Sequence, residues 1–190
     1  MYKMNLQLPK GYKRAVLVFD GAMSQPVVSV NGKEAGRWAY GYNAFRIDIT
    51  PYVKFGGKKN LVEVHLNNVE ESSRWYPGGG LYRPVSVELY GNENFSTWDT
   101  FVRTLKADKQ EAEVEVKALL EGKIGKSGKT VIALLDEAGT KVAEQTVSGA
   151  TPQIKTTLKV ANPQLWSPES PYLYQVKLTR YEGKKVADVQ

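Results

Sequence analysis

Hydrophobic residues recur at every second position in segments of about six, separated by Gly, Asn, Asp or Pro, and no segment of ten or more residues carries a period of 3.6. That pattern predicts an all-β chain. In residues 61–66, Val62, Val64 and Leu66 share one face, and in residues 85–90 the shared set is Val85, Val87 and Leu89. Each reads as a half-buried strand. Residues 14–19 are apolar on both faces after Arg14, which suits an interior strand, and residues 27–30 run into Asn31-Gly32, the strongest short hairpin signal. Residues 44–49 end at Thr50-Pro51, where proline lacks the amide needed for further pairing.

A second series follows. Residues 111–118 alternate Ala112, Val114, Val116 and Ala118 against Glu111, Glu113, Glu115 and Lys117, which predicts one dry face and one wet face. Residues 129–135, 141–146, 154–160 and 173–181 complete roughly six strands with turn signals about every 8–12 residues, the spacing of an immunoglobulin-like sandwich. The cysteine pair of antibody domains is absent. The expected architecture is therefore two tandem β-sandwiches, residues 1–93 and residues 94–190, divided in the polar stretch Gly91-Asn92-Glu93-Asn94. Thirteen aromatic residues precede position 94 and seven follow it, so the first half is the expected binding half.

Composition narrows the function classes. The 190 residues are too few for a (β/α)₈ barrel, which takes about 250. The longest apolar run, Val131-Ile132-Ala133-Leu134-Leu135, is strand-sized and far short of the ~18 residues of a membrane-crossing helix. With no cysteine and a single histidine, thiolate chemistry and histidine-rich metal sites drop out. The net charge of +6 is spread along the chain, +4 in residues 1–93 (12 basic, 8 acidic) and +2 in the rest (14 basic, 12 acidic), which argues against a nucleic-acid partner. The first six residues show no charged region followed by an apolar core, so they do not read as a secretory signal, and the compartment is left open. No ligand pattern for calcium is evident, and no cofactor is expected.

The segment most suited to chemistry is Ser72-Ser73-Arg74-Trp75-Tyr76-Pro77-Gly78-Gly79-Gly80-Leu81-Tyr82-Arg83-Pro84. Gly78, Gly79 and Gly80 permit a tight excursion, Trp75, Tyr76 and Tyr82 supply flat faces, and Arg74 and Arg83 supply rigid donor forks. Two readings fit. Aromatic faces can pack against the C–H side of a pyranose while guanidinium groups bond its hydroxyls, or the same residues can be a plug anchoring a long loop to the sandwich. A phosphate cradle is excluded, because no Gly-Lys-Ser/Thr ending and no following helix are present. The Glu70-Glu71 pair reads as solvated loop charge, since sequence neighbours on extended chain point apart, whereas glycosidase carboxyl groups converge at about 5–9 Å. His65 falls on the polar face of its strand and takes no role. No Gly-x-Ser-x-Gly elbow occurs.

Three blocks in order, Asn31-Gly32-Lys33-Glu34-Ala35-Gly36, then residues 41–50 (Gly41-Tyr42-Asn43-Ala44-Phe45-Arg46-Ile47-Asp48-Ile49-Thr50), then Trp75-Tyr76-Pro77-Gly78-Gly79-Gly80-Leu81-Tyr82-Arg83-Pro84-Val85, resemble the N-terminal sugar-binding domain of glycoside hydrolase family 2. Farther on, Asn162-Pro163-Gln164-Leu165-Trp166-Ser167-Pro168-Glu169-Ser170-Pro171-Tyr172-Leu173-Tyr174 resembles the segment closing that family's immunoglobulin-like second domain. The resemblance implies a partial jelly-roll, galactose-binding-like sandwich followed by an immunoglobulin-like one, from a β-galactosidase-like exo-glycosidase acting on terminal β-glycosides. It implies that both ends are trimmed and that the catalytic glutamates lie in a barrel beyond Gln190, so no catalytic residue is assigned. Arg74, Trp75, Tyr76 and Tyr82 are expected at the rim of the sugar pocket, with Gly78, Gly79, Gly80 and Arg83 shaping the loop. A carboxylate that galactose-specific members carry near this loop is replaced by Ser72, Ser73 and Arg74. The implied partners are a carbohydrate and the barrel, which would cover an exposed apolar patch. A free-standing carbohydrate-binding module is the alternative, and a purely structural adhesive protein a third.

Overall fold

The computed structural model describes residues 1–69 and 78–190. The chain is all-β and divides into two compact units, Met1–Gly91 and Asn92–Gln190. In the first unit, strands β1 (Tyr2–Gln7), β2 (Arg14–Phe19), β3 (Val27–Val30), β4 (Lys33–Arg37), β5 (Phe45–Asp48), β6 (Lys59–His65) and β7 (Val85–Tyr90) form two sheets, ordered β1-β6-β3-β4 and β5-β2-β7. Their inner faces meet through the alternate residues that the sequence marks: Leu17, Phe19, Phe45 and Ile47 from one sheet, Val28, Val30, Val62 and Val64 from the other. The Phe19 and Phe45 rings stack at 4.7 Å.

Local chemistry sets the connections. Val30 pairs with Lys33, so Asn31-Gly32 is a two-residue turn, and φ values of 52° and 77° at those positions give the left-handed pair that such a turn requires. The Asn31 side chain donates to the Tyr52 carbonyl at 2.8 Å and accepts from the Leu61 amide at 3.0 Å. The single turn of 3₁₀ helix at Thr50–Tyr52 follows β5, where Pro51 ends strand pairing.

Strand β2 lies between β5 and β7 and is buried on both faces, as its composition predicts. Its outer face is covered by a charged network instead of a second apolar layer. The Arg46 guanidinium donates to Glu88 at 2.9 Å, with a second shorter contact, and the Tyr90 hydroxyl also donates to Glu88. These bonds from Arg46 hold the Glu88 carboxyl below its ordinary range and raise Arg46 in turn, against the opposing effect of partial burial.

The second unit contains β8 (Glu93–Phe95), β9 (Phe101–Ala107), β10 (Glu111–Gly122), β11 (Gly128–Leu135), β12 (Lys141–Ser148), β13 (Gln153–Ala161), β14 (Gln175–Glu182) and β15 (Lys185–Val189). One sheet runs β13-β10-β8, with β9 also paired to β10, and the other runs β12-β11-β14-β15. Val116, Ala118, Leu120, Ile154 and Leu158 face Ile132, Leu134 and Leu178 across the sandwich. On β10 the face expected to be wet has one exception. Glu115 is 5% exposed. Arg103 lies directly opposite it on β9, and Arg103, Lys117 and Lys155 approach its carboxylate at 3.1, 3.3 and 3.3 Å. Burial alone would raise the Glu115 pKa; hydrogen bonds and charge from these cations more than offset it and hold the value below ordinary.

The polar stretch before β9 is not solvated throughout either. Glu93 and Asn94 are buried, and Glu93 forms a 3.1 Å ion pair with Arg180, which is itself fully buried on the inner face of β14. The Arg180 guanidinium also donates to the Thr130 hydroxyl at 3.4 Å and the Gly149 carbonyl at 3.3 Å. A charge in this position is tolerated only because its partner arrives from β8.

Two expected outcomes follow from these charges. Glu93→Ala strands the Arg180 charge and lowers the unfolding free energy of the second unit by about 3–5 kcal/mol, whereas a double replacement of Glu93 and Arg180 by apolar residues recovers most of it; denaturant titration checks both. In the first unit, Glu88 has a lowered folded pKa, so its contribution is fully present above the ordinary carboxyl range and is lost as pH falls through the folded value. The thermal-stability gap between wild type and Glu88→Gln is therefore widest near neutrality and closes in acid, as calorimetry at stepped pH would register.

Candidate functional site

Strand pairing gathers three loops at one end of the first unit. Phe19 pairs with both Phe45 and Val85, and Val27 pairs with both Arg37 and His65. The connections 20–26, 38–44 and 66–84 therefore leave the sandwich side by side. Backbone bonds tie them together. Met23 and Gly80 exchange two N–H···O bonds of 2.9 Å, Asp20 donates to the Pro84 carbonyl at 3.1 Å, and Trp38 donates to the Pro26 carbonyl at 3.0 Å. Asn67 donates to the Ser24 carbonyl at 2.9 Å, and the Ser24 hydroxyl returns a 2.6 Å bond to the Asn67 carbonyl.

Tyr82 links two of these loops. Its hydroxyl donates to the Gly41 carbonyl at 2.8 Å, and its ring packs so closely on Gly21 that a Cβ there would lie 2.6 Å from the ring. The Arg83 guanidinium sits 5.4 Å from the centre of that ring and reaches the Asp20 carbonyl at 3.5 Å. Of the predicted site residues, Tyr82, Arg83 and Gly80 are thus brought into one bonded cluster, and Gly78 and Gly79 lead into it. Arg74, Trp75 and Tyr76 lie outside the described residues, as do Glu70, Glu71, Ser72, Ser73 and Pro77. His65 is exposed on β6.

The loop 38–44 holds residues that sequence reading passes over. Trp38 stacks on Phe45 with ring centres 5.6 Å apart and planes 7° from parallel, and its indole N–H donates to the Asn43 Oδ1 at 2.9 Å. Tyr40 and Tyr42 pack on each other at 5.6 Å, and both are more than half exposed. Between this loop and residues 25–27 and 67 runs a groove of about 560 Å³, lined by Gln25, Arg37, Trp38, Tyr40 and Asn67 among others. The signal was available: Trp38, Tyr40 and Tyr42 stand at alternate positions around Gly41, an aromatic and glycine mixture like that of residues 75–82.

In the second unit a hollow of about 470 Å³ opens beside β9, lined by Val102, Val114, Leu165, Trp166, Leu173 and Tyr174 among others. Trp166 and Leu173 are largely exposed there. Among the described residues, no group of three or more His, Asp or Glu side chains is arranged to hold a metal ion.

The model of glycosyl hydrolases family 2 matches residues 95–190. The chain belongs to glycosyl hydrolase family 2. Among similar proteins, one of Formosa agariphila that bears the name putative β-glucuronidase is 37% identical over 177 residues, 93% of this chain and 17% of that one. A β-galactosidase of Bacteroides ovatus is 35% identical over 164 residues, 82% of this chain and 19% of that protein. The crystal structure of a family 2 glycosyl hydrolase from Bacteroides cellulosilyticus aligns with 99% of this chain and 25% of its own, with a TM-score of 0.82 and 34% identity. The chain thus spans about a fifth of the length of these curated family 2 relatives, and the two β-sandwiches are a fold it shares with family 2 structures.

Tyr82→Phe removes the bond to the Gly41 carbonyl and keeps the ring. The expected cost is about 1 kcal/mol in the stability of the first unit, together with faster amide exchange in residues 41–44, measured by hydrogen–deuterium exchange. Unchanged exchange there would show that the hydroxyl does not tether the loop.

Proposed function

We propose that this chain is the non-catalytic N-terminal portion of a family 2 exo-glycosidase of the β-galactosidase type, hydrolysing terminal β-glycosides. The first unit serves as a jelly-roll-like sugar-binding sandwich and the second as an immunoglobulin-like sandwich. A barrel elsewhere in the parent enzyme supplies the paired carboxyl groups of a retaining mechanism, about 5–5.5 Å apart, which passes through a covalent glycosyl–enzyme intermediate. The loop around Arg74 to Tyr82 contributes to the rim of the barrel's sugar pocket.

The observation carrying this reading is the distribution of the likeness: it runs along nearly the whole chain and over only a fifth of its relatives. Two features add support. The bonded loop cluster at one end of the first unit gives the 74–82 arm a rigid base, with Gly80 and Tyr82 as its anchors. The exposed Val102, Leu165, Trp166 and Leu173 line one apolar hollow on the second unit, of the kind that a large domain interface buries.

The test is enzymatic. The 190-residue chain offered a chromogenic β-galactoside or β-glucuronide should release no product, while the same chain joined to the barrel portion of a family 2 relative should support turnover that Trp75→Ala reduces. Turnover by the purified chain alone would defeat the proposal. Tight sugar binding by the chain with no effect on barrel activity would favour the free-standing module.

A further inference from the structure

Among the nine asparagines of the chain, Asn31 alone is followed by glycine. The pair has a chemistry of its own, because glycine carries no side chain to shield its backbone nitrogen from the preceding amide, and asparagine is thermolabile for this reason. The backbone nitrogen of Gly32 loses its proton and bonds to Asn31 Cγ, the Cγ–Nδ2 bond breaks, and Nδ2 takes up a proton and leaves as ammonia. Water then opens the five-membered imide. Cleavage at Cγ leaves an aspartate at position 31, and cleavage at the main-chain carbonyl leaves an isoaspartate, whose backbone runs through Cβ. Water is the sole co-reactant.

In the folded chain the reacting amide is held at both ends. Asn31 Nδ2 donates to the Tyr52 carbonyl at 2.8 Å and to Asn60 Oδ1 at 3.0 Å, while Asn31 Oδ1 accepts from the Leu61 amide at 3.0 Å. Exchanging oxygen and nitrogen would set two donors against each other at Leu61, so the network fixes the orientation. Asn60 is fully buried, and its Oδ1 also accepts from the Lys54 amide at 2.7 Å. Attack on Cγ makes that atom tetrahedral and moves Nδ2 and Oδ1 out of the amide plane, so these three bonds must loosen first. The main chain resists as well. Val30 pairs with Lys33 around the turn, φ is 52° at Asn31 and 77° at Gly32, and ring closure needs a different torsion about the Asn31 Cα–C bond.

The product does not fit where the reactant sat. An aspartate keeps the Leu61 bond through one oxygen and turns the other, an acceptor, toward the Tyr52 carbonyl and Asn60 Oδ1, which are acceptors too. An isoaspartate adds an atom to the backbone of a two-residue turn and disturbs the pairing of Val30 with Lys33. Either product cuts the link between the hairpin and residues 52–60, where Asn60 Nδ2 holds the Lys54 and Lys58 carbonyls at 2.9 and 3.1 Å. Strand β4 lies at the edge of its sheet, paired with β3 alone, where local opening is least costly.

We propose that Asn31-Gly32 is a self-modification site of the first unit. The fold keeps the pair unreacted, opening of the β3–β4 hairpin away from residues 52–61 releases it, and the reaction makes that opening irreversible. The modified turn is thus a covalent record of how often this edge of the sandwich has opened. The proposal is independent of the sugar-contacting role given to the same unit above.

The experiment incubates the 190-residue chain at mildly alkaline pH, once in buffer and once unfolded in guanidinium chloride. Peptide mass spectrometry then follows the gain of one water less one ammonia at each asparagine. In the unfolded chain Asn31 is expected to convert before the other asparagines, and in buffer its rate should fall by at least about tenfold. Asn31→Gly keeps a turn-forming pair and removes the reacting amide, so it should show no early conversion. Asn31→Asp should lower the unfolding temperature of the first unit by about 4–8 °C. Where that variant does not fold, aged wild-type chain separated by ion exchange carries the same measurement. Rates in buffer and denaturant within about twofold of each other overturn the protection by the fold. Faster conversion at another asparagine, or an equal mass gain in Asn31→Gly, overturns the site. An unchanged unfolding temperature in the modified chain overturns the irreversible opening.

Discussion

Two hydrogen bonds between Met23 and Gly80 do for the first unit what strand pairing does elsewhere: they bind the long 66–84 connection to a neighbouring loop. Bonds between Asn67 and Ser24 and between Asp20 and Pro84 hold the described part of that connection to the same loop. The remaining contacts depend on this bridge. Tyr82 reaches Gly41 two residues after the Gly80 bridge, and Gly21 must lack a side chain for the Tyr82 ring to lie where it does. The exposed aromatic residues of 38–44 therefore sit on a base stiffened by backbone bonds to two other loops.

The second unit solves a different problem with charge. Arg180 occupies a position on β14 whose neighbours at alternate positions, Val176 and Leu178, face the core. A guanidinium there would carry a large desolvation penalty unless a carboxylate met it, and Glu93 does so from the first strand of the unit. The pair thereby makes docking of β8 a condition for closing that end of the sandwich. Glu115 is the counterpart on the outer face: there three cations surround one carboxylate at the surface, with their stems covering it.

Much of this fold is legible in period-two alternation. The intervals of β2, β3 and β7 match their sequence patterns end to end, and the Asn31-Gly32 turn follows from the dipeptide alone. What alternation misses are strands whose partners supply the stabilisation. In β9 every residue is exposed and polar and apolar side chains fall on both faces, so nothing periodic marks it; it exists through its ladder to β10. Likewise β8 is three residues long and polar at two of them, and the burial of Glu93 is explained by remote partners, Arg180 and the Gly125 amide. The candidate site divides in the same way. Residues 72–84 announce themselves by composition, but the contribution of Trp38 and Tyr40 depends on loops that are adjacent in the sheet order and remote in sequence, from Gln25 to Asn67.

Side-chain conformational freedom also separates the two exposed apolar regions. Trp38 is stacked and hydrogen-bonded, a cost already met in folding, so covering it further costs little side-chain entropy. Trp166 and Leu173 lie on a segment between β13 and β14 that is held by turn bonds joining Ser167 and Ser170 and by the Tyr172 hydroxyl, which accepts from the Glu137 amide at 3.1 Å. Ordering such side chains against one small molecule would cost a large share of the gain, whereas a surface large enough to cover Val102, Leu165, Trp166 and Leu173 together would return far more area for the same ordering. The contrast is between a preorganised aromatic face on the first unit and a broader apolar face on the second.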